Sequence, residues 1–190
     1  MSFNIHLVKG DITKAPADVI VNAANKQMLG GGGVDGAIHQ AAGPDLLMTC
    51  VALRACPPYM RGLETGHVAV TPGFNLPAKN VIHTVGPIYY DYHTPERVQE
   101  GRELLELCYI NSILAAERLC AKSIAFPSIS TGVYAWPLED AAEAAITELD
   151  SMRENLSKAG EYAQSWVQDV YFYLFDDHTY DAYNKALNGA

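Results

Sequence analysis

The sequence predicts a three-layer α/β/α fold in which a mostly parallel, mixed sheet lies between two layers of helices. Segments with strand patterns alternate with segments of helical periodicity along almost the whole chain. The run DVIVN at Asp18–Asn22 is almost continuously apolar and β-branched, as expected of a central strand buried on both faces. No internal repeat or interdomain linker interrupts the 190 residues, so we expect a single domain over residues 1–190.

Six segments have the composition and alternation of β-strands. The first alternates polar and apolar residues, the second is the apolar run just described, and the fifth is short and buried. A turn-rich segment, PGFNLPAK, separates the third from the fourth. The predicted strands are Asn4–Val8, Asp18–Asn22, His67–Thr71, Asn80–Val85, Ser123–Phe126 and Val167–Phe175.

Five segments have helical patterns. The first follows a run of glycines, with apolar residues at helical spacing up to Ala42, and is ended by Gly43-Pro44. The fourth begins with Pro137 and has two acidic residues in its first turn, both favourable at a helix N-terminus. The other predicted helices are Pro44–Arg54, Pro95–Leu119 and Asp176–Leu187, and the fourth extends to about Leu156. The polar stretch 87–97 is predicted to be a surface loop.

The composition excludes several classes of protein. A net charge of −9 argues against a groove that follows a nucleic-acid backbone, which requires basic residues. The four cysteines form no CxxC pair and no zinc spacing, so we expect free thiols and no metal. The N-terminus lacks the pattern of a secretory signal, and no apolar run approaches the length of a membrane helix. We therefore expect a cytoplasmic protein that does not bind membranes.

The stretch LGGGGVDGAIH at Leu29–His39 is the most unusual part of the sequence. Four consecutive glycines have a high conformational entropy cost and allow a ligand to approach the backbone closely. The formal match to a dinucleotide-binding motif is weak, because residues 23–30 separate the glycines from the preceding strand. A flexible connector is the plain alternative. The start of a helix directly after the glycines favours a ligand-binding loop instead.

Five motifs in order resemble those of the macrodomain family. They are GDIT at 10–13, NAAN at 22–25, GGGGVDGAIH at 30–39, HTVGP at 83–87 and PSISTGVYAWP at 127–137. The sequence most resembles the bacterial branch of the class that includes the MacroD hydrolases, which are described as O-acetyl-ADP-ribose deacetylases. The resemblance spans nearly the whole chain and implies a three-layer macrodomain that binds ADP-ribose without a cofactor.

The resemblance also implies roles for individual residues in binding ADP-ribose. Asp11, at the end of the first strand, would accept a hydrogen bond from the adenine amino group, and the N–H of Ile12 would reach a ring nitrogen. Phe175 would stack on the adenine; the alternative is that it is a core residue. The diphosphate would lie between two loops, with Tyr134 against the distal ribose. The other residues implied to bind the ligand are Asn22, Ala24, Gly31, Gly32, Gly33, Val34, Ser130, Thr131, Gly132, Val133 and Tyr134.

One departure from the family pattern concerns the second loop. The family commonly has glycine after the tyrosine, where this chain has Ala135. Alanine restricts positive φ, so the loop geometry or the substrate range is expected to differ slightly. Trp136 replaces a tyrosine or phenylalanine, a change that we expect to be tolerated.

Hydrolysis requires a held water in addition to the binding residues. In the hydrolytic branch of the family, the residues that orient or deprotonate this water match Asn25 and Asp35 here. Ser128 and Ser130 lack a nucleophile elbow, and His39 and His83 are expected to be hydrogen-bonded structural residues. The resemblance therefore implies a hydrolase acting at the distal ribose, by deacetylation of O-acetyl-ADP-ribose or removal of mono-ADP-ribose from Asp or Glu side chains.

Alternatives remain open at this point. A non-catalytic ADP-ribose reader would share the same binding loops, and an ADP-ribose-1″-phosphate phosphatase would use the same pocket. The expected partners are small molecules that contain ADP-ribose and ADP-ribosylated proteins. A nucleic acid is expected only as an ADP-ribosylated end.

Overall fold

A computed structural model describes residues 3–92, 94–158 and 165–189 of the chain. Its centre is a six-stranded sheet with strand order β1-β6-β5-β2-β4-β3. Every neighbouring pair is parallel except β3 and β4, which confirms the predicted mostly parallel, mixed sheet. The strands are β1 (Asn4–Lys9), β2 (Val19–Ala23), β3 (Val68–Pro72), β4 (Asn80–Thr84), β5 (Ser123–Phe126) and β6 (Asp169–Leu174).

In the described part of the chain, five α-helices cover the two faces of the sheet, and three short 3₁₀ helices occur in the connections. The α-helices are α1 (Gly33–Ala42), α2 (Pro44–Arg54), α3 (Pro95–Arg118), α4 (Leu138–Lys158) and α5 (Asp177–Asn188). The 3₁₀ helices are Ile12–Lys14, Tyr59–Arg61 and Tyr89–Tyr92. Helices α1 and α2 share one hydrophobic core with the sheet, and α3, α4 and α5 share the other. The three-layer prediction is therefore confirmed.

The alternation of side chains along the strands separates the two cores. In β2, Ile20 faces α1 and α2, whereas Val21 faces the other three helices. Their register partners in β4, Val81 and Ile82, divide between the same two cores. Because both faces of these central strands are covered, each has adjacent apolar residues, Val19–Val21 in β2 and Val81–Ile82 in β4, instead of a strict polar and apolar alternation.

The stretch 87–97 differs from its prediction as a surface loop. It contains the 3₁₀ helix Tyr89–Tyr92, whereas the start of α3 at Pro95 agrees with the predicted helix Pro95–Leu119. The rings of Tyr89 and Tyr92 lie 5.3 Å and 6.3 Å from the buried ring of Trp136. Aromatic packing orders this segment, although most of its residues are polar.

Two further predictions concern the whole chain. All four cysteines are free thiols, as expected. Within the described segments, no helix is both long and apolar enough to cross a bilayer. The cytoplasmic location stays a prediction.

Candidate ligand site at the carboxyl edge of the sheet

A cleft of about 720 Å³ opens where the parallel strands end. The loops after β1, β2, β4, β5 and β6 all contribute to it, because the carboxyl ends of parallel strands lie at one edge of the sheet. All of the predicted site residues except Asn22 line this cleft. They are Asp11, Ile12, Ala24, Asn25, Gly31, Gly32, Gly33, Val34, Asp35, Ser130, Thr131, Gly132, Val133, Tyr134 and Phe175.

Other residues line the cleft but were not predicted as binding residues. Six of them lie within the five motifs but were not chosen as binding residues, and Tyr173 and Leu174 directly precede Phe175 in the sequence. Thr179, on α5, lies outside all five motifs and had no signal. The additional lining residues are Gly10, Ala23, Ala37, Gly86, Pro127, Ser128, Tyr173, Leu174 and Thr179.

One end of the cleft is formed by the loops after β1 and β6. Strand β1 ends at Lys9, so Asp11 lies in the following turn and not at the strand end. Its Oδ1 accepts hydrogen bonds from Thr13 N (2.9 Å) and Thr13 Oγ1 (2.7 Å), which cap a 3₁₀ helix. Phe175 is 85% exposed, so the alternative that it is a core residue is wrong.

The loop after β5 holds an unusual backbone conformation. Ser130 has φ +65° and Ala135 has φ +54°, both in the left-handed region. The Ser130 hydroxyl is buried without a hydrogen-bond partner among the described residues. Thr131 Oγ1 donates to Ser128 Oγ (2.8 Å), and Tyr183 donates to the same oxygen (3.1 Å). The loop is thus tied to the core and has spare hydrogen-bonding capacity at the cleft.

The glycine loop is fixed by Asn25. Its Nδ2 donates to Gly30 O (3.0 Å), and its Oδ1 accepts from the backbone N–H groups of Gln27 (2.9 Å) and Met28 (3.2 Å). A Cβ at Gly31 would lie 3.1 Å from Asp35 Oδ2 and 3.2 Å from Asn25 Nδ2. The absence of a side chain at residue 31 therefore leaves a small space that both predicted catalytic residues face.

Asp35 lies in the first turn of α1 and is only 4% exposed. Its Oδ1 accepts a hydrogen bond of 2.7 Å from Asn22 Nδ2 and lies 3.6 Å from His39 Nε2. Burial raises the pKa of Asp35, and the Asn22 hydrogen bond and His39 oppose that rise. The pKa of Tyr134 is also raised, by burial and then by the Asp35 charge. The part of the cleft beside Gly31 therefore contains a buried carboxyl group whose pKa is raised.

Asn22 was predicted as a ligand-binding residue, but it is fully buried and does not line the cleft. It lies behind Asp35 and contacts the ring of His83. The buried position follows from the register of β2 and β4, which pairs Asn22 with His83.

A cluster of possible metal ligands lies behind the same carboxylate. Ligand atoms of His39, Cys50 and His83 lie within 4.8 Å of one another, an arrangement that the sequence spacing did not indicate. His83 Nε2 is 3.0 Å from Thr71 Oγ1 and its other ring nitrogen contacts the Asn22 amide, so hydrogen bonds already occupy both nitrogens. Burial raises the pKa of the Cys50 thiol to about 11, which disfavours the thiolate that a metal needs. The absence of a metal stays a prediction.

Comparisons with known proteins agree with this geometry. The family model described as Macro domain matches residues 21–145. A macro domain-containing protein of Chlorobaculum tepidum is 48% identical over 184 residues, covering 96% of this chain and 95% of the relative. A protein of Escherichia fergusonii named O-acetyl-ADP-ribose deacetylase is 42% identical over 191 residues, covering 98% and 97%.

Solved structures show the same similarity. An Oceanobacillus iheyensis macrodomain with ADP superposes with a TM-score of 0.86 at 42% identity, covering 100% of this chain and 95% of that one. A Trypanosoma brucei macrodomain in complex with ADP-ribose has a TM-score of 0.78 at 36% identity, covering 97% and 69%. With its family model, its relatives and its fold in agreement, the chain belongs to the macro domain family.

Proposed function

We propose that the chain is a hydrolase that binds ADP-ribose and cleaves an ester at its distal ribose. The observation that carries this proposal is the buried carboxyl group of Asp35 at the cleft. A carboxylate beside a diphosphate ligand weakens binding by charge repulsion and is costly to bury. A module that only bound ADP-ribose would have no use for it, whereas a hydrolase needs a base there.

The cleft can bind an anion although the chain is acidic. Among the described residues, its lining includes no lysine or arginine. The N-terminus of α1 lies in the lining. Its cap residue is Gly32, which has no side chain to accept hydrogen bonds from the N–H groups of the first turn. Unpaired N–H groups of a helix start and of the 130–134 loop are suited to a diphosphate. Asp11, Ile12 and Phe175 would then hold the adenine.

Asn25 and Asp35 would orient the reaction. One N–H of the Asn25 amide bonds Gly30, and its second N–H is the donor for a hydroxyl of the distal ribose. Asp35 Oδ2, which faces the space beside Gly31, takes the proton of an attacking water. The raised pKa makes this carboxylate a stronger base than a solvent-exposed one.

Two points of attack are consistent with this arrangement. In O-acetyl-ADP-ribose, water would add to the acetyl carbonyl, and the tetrahedral intermediate would release acetate while the ribose oxygen regains a proton. In an ADP-ribosylated Asp or Glu, water would instead bond to the anomeric carbon, and the carboxylate would leave with the electrons of the broken C–O bond. Hydrolysis in ¹⁸O-water separates them, since the released carboxylate gains the label after attack at the carbonyl and stays unlabelled after attack at the anomeric carbon.

The deciding experiment compares the wild-type protein with Asp35→Asn, using O-acetyl-ADP-ribose and a mono-ADP-ribosylated Glu peptide as substrates. Loss of a general base reduces kcat by about 10² to 10⁴-fold. We expect a loss of that order in kcat with an ADP-ribose Kd, measured by calorimetry, no weaker than that of the wild type. Asparagine preserves the size of the side chain, and its Oδ1 can still accept from Asn22.

Other outcomes would overturn the proposal. Full turnover by Asp35→Asn would remove Asp35 from the mechanism. Tight ADP-ribose binding with no turnover by the wild type on either ester would indicate a reader. Turnover confined to ADP-ribose-1″-phosphate would indicate the phosphatase. Asn25→Ala is a less specific variant, because Asn25 also fixes the backbone of the glycine loop.

A further inference from the structure

Three buried polar side chains behind Asp35 have no part in the mechanism above. Asn22, His83 and Thr71 come from β2, β4 and β3, and each is at most 1% exposed. None of them lines the cleft. Burying such groups is costly unless they are hydrogen-bonded, so their partners show how they are used.

The hydrogen bonds of this group have a defined direction. Asn22 Nδ2 lies 2.7 Å from Asp35 Oδ1 and 3.1 Å from His83 Nδ1. An ionised carboxylate only accepts, so the amide nitrogen, with its two hydrogens, donates to both. His83 Nδ1 is then an acceptor, and the ring proton resides on Nε2. That nitrogen lies 3.0 Å from Thr71 Oγ1 and donates to it.

The environment of His83 keeps it neutral. Burial and, to a smaller extent, His39, whose ring centroid lies 6.3 Å away, lower its pKa to about 3. Cys50 Sγ, at 3.9 Å from Nε2, is a protonated thiol because burial and Asp35 raise its pKa. A neutral imidazole of fixed tautomer is an acceptor that cannot turn into a competing donor, so it orients the Asn22 amide towards Asp35.

We propose that His83 and Asn22 are positioning residues. Thr71 anchors His83, and His83 orients the Asn22 amide. The amide then binds Asp35 Oδ1 and leaves Oδ2 on the side of the cleft. This inference rests on the proposed function, in which Asp35 is the base. With Oδ1 held from behind, the carboxylate keeps one rotamer, and Oδ2, which is buried beside Gly31 without a hydrogen-bond partner among the described residues, is the oxygen left to bind the attacking water. The hydrogen bond also favours the ionised form that the reaction needs.

The test replaces His83 by leucine, which removes the acceptor, and by asparagine, whose Oδ1 can substitute for Nδ1. We expect His83→Leu to lower kcat on the ester about tenfold, as for loss of a hydrogen bond to a charged group, while KM and ADP-ribose affinity change little. His83→Asn should restore most of kcat. The acid limb of the kcat profile should move to higher pH in His83→Leu, because the pKa of Asp35 rises when its donor is misoriented.

A second measurement does not depend on turnover. The ¹³C resonance of the Asp35 carboxyl, titrated in the free protein, reports its pKa directly. We expect a higher pKa in His83→Leu, a smaller rise in Thr71→Val, and a value close to that of the wild type in His83→Asn. We call the chain of hydrogen bonds from Thr71 through His83 and Asn22 to Asp35 the relay. Cys50→Ala is the matched control, because it removes a buried neighbour of His83 that is outside the relay. It should lower thermal stability without changing the pKa of Asp35.

The outcomes separate this inference from the proposed function. If the wild type hydrolyses no ester, the proposed function fails, and the titration still measures the relay. If the Asp35 pKa is the same in the wild type and His83→Leu, the relay is wrong whatever the activity. Should His83→Leu not fold, Thr71→Val decides, because it removes the acceptor of Nε2–H at nearly constant volume; an unchanged Asp35 pKa there overturns the proposal.

Discussion

Gly86, just after β4, lies against the hydroxyl of Ser130 in the loop after β5. A Cβ at residue 86 would lie 2.0 Å from Ser130 Oγ and 2.7 Å from Ile129 Cγ2. Both neighbours belong to one loop, so the absence of a side chain at residue 86 determines how closely that loop approaches β4. The HTVGP motif therefore contributes to the cleft through its glycine.

Replacement of Gly86 by alanine should displace the 127–136 loop and weaken ADP-ribose binding. Overpacking of this kind costs about 1–3 kcal/mol, so we expect a Kd at least about fivefold higher by calorimetry, with a lower melting temperature. Gly132→Ala is the control for stability, since a Cβ there meets nothing within 4 Å. An unchanged Kd in Gly86→Ala would show that the loop does not bind the ligand as proposed.

Phe175→Ala should weaken ADP-ribose binding without destabilising the fold. Aromatic stacking on a base is worth about 1–3 kcal/mol, so the Kd should rise roughly 5- to 150-fold. The side chain is 85% exposed, so its removal should change the free energy of unfolding by less than about 0.5 kcal/mol. Ribose 5-phosphate, which lacks the adenine, should bind both proteins equally. An equal loss of affinity for that ligand would contradict the stacking role.

The lowered pKa of His83 predicts how the stability of the fold depends on pH. Its folded pKa is about 3 and its ordinary value is 6.5, so between these values the unfolded chain binds a proton that the folded protein excludes. The neutral His83 therefore adds to the free energy of unfolding. This contribution is complete above pH 6.5 and is lost as the pH falls towards 3. The slope approaches about 1.4 kcal/mol per pH unit.

Chemical denaturation of the wild type and His83→Asn at several pH values isolates this contribution. The carboxyl groups and the other histidines titrate in both proteins, so their contributions to the free energy of unfolding cancel in the difference. We expect a constant difference in unfolding free energy above about pH 7.5, in favour of the wild type, which shrinks steadily below pH 6.5. Parallel curves from pH 7 to pH 4 would mean that His83 titrates in the folded protein.

The sequence predicted the layers of the fold and the lining of the cleft well, for identifiable reasons. Strand β2 begins with the apolar run Val19–Val21, and most of the motifs follow strands whose carboxyl ends meet at one edge. It failed where pairing between distant strands decides the outcome. Asn22, at the end of the predicted strand Asp18–Asn22, was expected to bind the ligand as part of the NAAN motif, but its register with His83 buries it. Neither residue's local sequence contains that information.

Ala135, which departs from the family's common glycine, has φ +54°. The left-handed conformation costs a residue with a Cβ about 1–2 kcal/mol, whereas glycine adopts it freely and loses about 0.5–1 kcal/mol more chain entropy on folding. Ala135→Gly should therefore raise the free energy of unfolding slightly, by up to about 1 kcal/mol, and the melting temperature by roughly 2–4 °C. Ala52→Gly, exposed in α2, is the matched control and should lower stability by about 0.5–1 kcal/mol. A loss of stability in Ala135→Gly equal to that of the control would show that residue 135 is not strained in solution.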